Sequence, residues 1–87
     1  GRQQTRQPER KLRFTFQGQK DYETIEEVIS GLEEQLSQTE AQIGKEARNY
    51  TRLRELTEEK DRLEQQLEEK MERWMYLSEL AEKIESQ

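Results

Sequence analysis

The chain has 87 residues, 29% of them apolar and 40% charged, which leaves too few apolar side chains for a core that could enclose a catalytic cleft. It contains no Cys and no His, which excludes thiol nucleophiles, disulfides, imidazole bases and zinc sites built on sulfur or imidazole. The net charge of −5 is unevenly divided: residues 1–20 hold six Lys or Arg against Glu9 alone, so a basic N-terminal part adjoins a strongly acidic remainder.

Residues 1–11 lack periodicity, contain the single proline, Pro8, and are rich in Arg and Gln, the pattern of a basic flexible linker. Leu12, Phe14 and Phe16 then alternate with Lys11, Arg13 and Thr15, which predicts a short extended segment with one apolar edge. Its expected partner is the far end of the chain, where Leu77, Leu80, Ala81 and Ile84 need cover. Met75, Tyr76 and Leu80 would also receive it, or else dock another domain.

Thr15 is the preferred N-cap of a first helix over about 16–46, with Asp21 as the competing cap. Its apolar residues, Tyr22, Ile25, Ile29, Leu32, Leu36, Thr39 and Ile43, recur at a 3,4 spacing that keeps one narrow stripe on a single side. A turn at about 47–49 follows, then a second helix over about 50–85 capped by Asn49. Leu53, Leu56, Lys60, Leu63, Leu67, Lys70, Trp74, Leu77, Ala81 and Ile84 form its stripe.

The step from Ile43 to Leu53 is ten residues, which a continuous coiled coil can absorb as a stammer. Gly44 disfavours helix by about 1 kcal/mol relative to Ala, and Arg48–Asn49 resembles a stop followed by a cap, so a turn is the better reading. The fold expected is all-α: an intramolecular antiparallel two-helix coiled-coil hairpin with a short extended N-terminal segment. Facing positions then add to 95 or 96, pairing Thr39 with Leu56, Ile29 with Leu67, Ile25 with Lys70 and Tyr22 with Trp74. Gly18 falls opposite Leu77. Lys60 and Lys70 lay their methylenes over the seam while their ammonium groups reach water and neighbouring Glu. Phe14, Phe16, Tyr22, Trp74 and Leu77 are the expected packing residues.

Carboxylate pairs such as Glu55 with Glu59 or Glu64 with Glu68 read as solvated surface, and neither phosphate-binding glycine loops nor spaced metal ligands occur. The fragment is therefore expected to have no catalytic residue, no metal and no cofactor of its own. With no apolar run near 20 residues and no signal-peptide pattern, a cytoplasmic location away from the membrane is the default expectation. Lys45, Arg48, Arg52 and Arg54, against Glu46 and with Glu55 just beyond, surround Tyr50 at the predicted turn, a basic aromatic tip suited to a phosphate backbone. The bland account is that cations gather near a helix C-terminus because the dipole favours them.

Three segments resemble a known family: Lys11–Phe16, Tyr22–Ile29 and Leu67–Leu77 with its Glu72-Arg73-Trp74 core. They look like the C-terminal coiled-coil domain of Uup-type ABC-F proteins, tandem ATP-binding-cassette ATPases without transmembrane domains, over residues 11–85. The chain departs from that pattern at Gly18, where relatives often carry a capping-box Glu. The resemblance implies a hairpin that follows the second cassette and a parent that binds and hydrolyses ATP and acts on ribosomes, with DNA binding also attributed to such tails. The expected partners are then nucleic acid, either DNA or ribosomal RNA, and the upstream cassettes of the same protein, with the fragment itself monomeric. The phosphate contacts would be Arg10, Lys11, Arg13, Lys45, Arg48, Arg52 and Arg54. The rival readings are a homodimerising coiled-coil module and a tRNA-binding helical arm of a synthetase.

Overall fold

The computed structural model describes residues 11–87; Arg10 and the rest of the expected linker before Lys11 lie outside the described residues. Two helices make up nearly all of the described chain, α1 (Phe16–Lys45) and α2 (Tyr50–Glu85). Both start where the sequence offers a short polar side chain to an unpaired amide. Thr15 is extended and its Oγ1 accepts from the Gly18 N–H at 2.9 Å, while the Asn49 side chain accepts from the Arg52 N–H at 3.1 Å. Between the helices the Glu46 N–H donates to the Gln42 carbonyl and the Asn49 N–H to the Glu46 carbonyl, both at 2.9 Å. These two bonds close α1 and reverse the chain within residues 46–49.

The helices lie antiparallel, since residues early in α1 meet residues late in α2. Gly18 sits against Leu77, the Asp21 carboxylate meets the Arg73 guanidinium at 3.2 Å, and near the turn Glu40 meets the Lys60 ammonium at 3.6 Å. Ile25 and Lys70 line one small groove, and Thr39 and Leu56 line a larger one. Facing numbers add to about 95 from Gly18–Leu77 at the base to Thr39–Leu56 near the turn, and only the long Lys60–Glu40 pair, at 100, reaches across by more than one turn.

The core is one residue wide. Ile25, Leu56, Leu63 and Leu77 are its buried apolar side chains, and Leu77 is 0% exposed. Full burial of such a leucine contributes roughly 1.5–3 kcal/mol. Thr39 is buried in the same seam, and its hydroxyl is satisfied by donating to the Gln35 carbonyl at 2.9 Å. Lys60 is half-buried, with its ammonium drawn toward Glu40.

The N-terminal segment differs in part from its expected form. Phe14 stacks on Tyr22 with ring centroids 5.2 Å apart, and the Gln87 side chain brackets the Leu12 backbone, accepting from its N–H at 2.9 Å and donating to its carbonyl at 2.7 Å. The Leu12 backbone thus lies against the C-terminal residue, but the expected apolar edge does not form, since the Leu12 side chain is exposed and Phe14 turns to Tyr22 of α1. Phe16 is the correction: it is 79% exposed and packs under no core layer. Because Phe16 is already the first helical residue, the period changes from two to 3.6 between Thr15 and Phe16, and its ring turns outward, beneath the Lys20 ammonium at 5.2 Å. Met75 and Tyr76 consequently stay exposed.

Candidate nucleic-acid interface

The tip is built by the caps. Lys45 is the last residue of α1, where a cation complements the negative end of the helix dipole. Arg48 lies in the turn, and Asn49 fixes the start of α2 so that Tyr50, Arg52 and Arg54 all fall within its first turn and a half. Tyr50 is 83% exposed. It borders a shallow groove of about 340 Å³ shared with Thr51, Arg54 and Glu55.

The four cations are not equivalent. Arg52 is engaged by Glu55 at 3.3 Å, whereas among the described residues no carboxylate forms an ion pair with Lys45, Arg48 or Arg54. All four are exposed. Uncommitted cations beside an exposed aromatic face can contact phosphate oxygens directly and stack on an unpaired base. From Asp21 to Gly44, by contrast, α1 carries seven carboxylates and no Lys or Arg. Along α1 the shaft is negative where the tip is positive.

The sequence-predicted basic residues form two groups that the fold holds apart. Lys11 and Arg13 are exposed at the base, beside the end of α2, and the tip lies the length of α1 away, 30 residues or about 45 Å at 1.5 Å each. They cannot act as one patch.

Sequence reading missed the polar cluster that holds the base together. Gln17 donates through Nε2 to Asp21 Oδ1 at 2.8 Å, and Arg73 reaches Asp21 Oδ2 through both Nε and Nη2. The Gln17 hydrogen bond first, and the Arg73 guanidinium after it, hold the Asp21 carboxyl below its ordinary range, against partial desolvation that pushes the other way. Arg73 also lies 5.5 Å from the Tyr76 ring centroid. The facing-number rule carried the signal, because 21 and 73 fall one short of it.

Among the described residues no helix is long and apolar enough to cross a membrane, and no cluster of three or more acidic side chains is placed to hold a metal ion. The arrangement at the tip offers exposed positive charge beside an exposed aromatic face.

Comparison with known proteins agrees with the hairpin's span. The chain is similar to an uncharacterized ABC transporter ATP-binding protein, YfmR, of Bacillus subtilis (strain 168), at 32% identity over 77 residues. That alignment covers 88% of this chain and 12% of the relative, so the chain spans a small fraction of the length of the curated protein it matches. No solved structure matches. The family model described as ABC transporter C-terminal domain matches residues 13–79, from the segment that caps α1 through the buried Leu77 layer, and the chain belongs to that family.

Proposed function

We propose that this hairpin is a non-catalytic arm of an ABC-F-type ATPase, close to the Uup group, and that its tip contacts the phosphate backbone of nucleic acid, ribosomal RNA or DNA, while upstream cassettes bind and hydrolyse ATP in the cytoplasm. The observation that carries the reading is the set of exposed cations Lys45, Arg48 and Arg54, unpaired with any described carboxylate, around the exposed Tyr50 ring. The acidic shaft supports it, since like-charge repulsion along α1 would confine a polyanion to the tip. Lys11 and Arg13 provide a second cationic contact at the base.

The test is a fluorescence-anisotropy titration of labelled RNA and DNA against the wild-type chain and against Lys45→Glu, Arg48→Glu, Arg52→Glu and Arg54→Glu combined. The wild type should bind more tightly and with a steeper salt dependence than the variant. Up to four phosphate contacts account for a change of about 3–4 in the slope of log K against log salt on duplex DNA. Equal affinity and equal slope for the two proteins would remove the tip from the account.

A further inference from the structure

We propose that the groove between Ile29 of α1 and Met71–Trp74 of α2 docks a cationic amphipathic helix of a protein partner, whose apolar side chains seat between Met71 and Trp74 while its Lys or Arg residues meet the surrounding carboxylates. The groove has a volume of about 230 Å³ and is lined by Glu26, Ile29, Ser30, Glu33, Met71 and Trp74. Its floor is apolar, yet this side of the seam is left uncovered. Met71 is 42% exposed, and Met75, one turn on, is 56% exposed. A thioether on an unbranched chain adapts to varied apolar partners, which makes paired exposed methionines well suited to receiving a helix.

The charge around the groove identifies the occupant. On α2, Glu64, Glu68, Met71, Met75 and Glu79 follow one another at intervals of three or four, so the two methionines interrupt a row of exposed carboxylates. Glu26 and Glu33 provide the facing rim on α1. None of these five carboxylates is in an ion pair among the described residues. A second copy of this chain would bring the same negative rim against itself, and a phosphate backbone would be repelled. An open groove of this size is also below the roughly 300–1,000 Å³ of a small-molecule pocket. A helix with apolar anchors and a basic flank satisfies both the floor and the rim.

Trp74 is the single tryptophan and lines the groove, so its emission reports occupancy directly. The full 87-residue chain is titrated with a designed helical peptide of Leu and Lys, with Leu at i, i+3, i+4 and i+7. Two control peptides accompany it: in one Ser replaces every Leu, and in the other Glu replaces every Lys. The Leu/Lys peptide should shift Trp74 emission to the blue saturably, and both controls should fail. Met71→Ala and, separately, Glu26→Lys with Glu33→Lys should each weaken binding about tenfold. Binding of the Ser peptide with equal affinity would reduce the contact to charge alone and overturn the proposal. Unchanged affinity of Met71→Ala would do the same, and so would a blue shift that grows with protein concentration without peptide, because a second copy would then be the occupant.

Discussion

Gly18 shows how much one missing side chain decides at the base. A Cβ there would stand 3.0 Å from Thr15 Oγ1, the atom that caps α1, and 3.8 Å from a methyl of the fully buried Leu77. A β-branched side chain would have to displace the cap or the leucine, so Gly18→Val should lower stability by about 1–3 kcal/mol through overpacking. Gly31 is the control. It lies in the same helix with nothing within 4 Å of a built Cβ, so Gly31→Ala should raise stability by about 1 kcal/mol from helix propensity alone. Thermal melts of the two variants should move in opposite directions. Asp21 makes a different prediction, because its carboxyl is held below its ordinary range by Gln17 and then Arg73. A carboxyl with a depressed folded-state value contributes its stability in full above the unfolded-state value and loses it as pH falls through the folded one. The gap in melting temperature between wild type and Asp21→Asn should therefore be present at neutral pH and close progressively below pH about 4. A gap unchanged between neutral and acid pH would mean that the Asp21 charge contributes nothing.

At the scale of the helices, what the sequence disclosed and what it hid have separate physical causes. The seam was legible because a 3,4 spacing has one consequence for an α-helix, and the caps were legible because Thr15 and Asn49 are short side chains able to reach an amide three residues on. Phe16 was misread for a reason of phase. Alternation before a cap and helical period after it assign the same residue to opposite faces, and only the position of the cap at Thr15 settles which rule applies. The candidate site was legible in part. Lys45, Arg48, Arg52 and Arg54 could be gathered from the turn alone, but that Glu55 occupies Arg52 while the other three remain uncommitted depends on rotamers that spacing does not encode. The surplus of large apolar side chains around Trp74 was plain, but the N-terminal segment was expected to pack on Met75, Tyr76 and Leu80, and the groove at Met71 and Trp74 was not foreseen. Phe14 turned instead to Tyr22 and Phe16 to solvent.

For the whole molecule the deciding element is the turn, because two open chains zipped antiparallel would bury the same layers that one folded chain buries. The ten-residue step between Ile43 and Leu53 could be carried through a continuous helix, so the stripes alone permit either outcome. Two features favour folding back. Gly44 weakens the helix just before the break, and Asn49 caps a new one just after it, each acting within the first few residues of the 46–49 reversal. A closure this short also gives the second helix a high effective concentration beside the first, which an intermolecular partner cannot match at ordinary dilution. Gly44→Ala together with Asn49→Ala strengthens the continuous helix by about 1 kcal/mol at the glycine and removes a cap contribution of about 1 kcal/mol at the asparagine. Both changes act against the turn and leave every seam residue in place. The wild type should therefore sediment at 10.6 kDa at all concentrations, while the double variant should move toward twice that mass as concentration rises. Spin labels at positions 29 and 67 distinguish the same two states within one chain: close neighbours in the hairpin, they separate toward the span of a straight rod in the open form. A double variant that stays at 10.6 kDa with its labels still close would show that closure entropy and the matched layers hold the hairpin without help from Gly44 or the Asn49 cap.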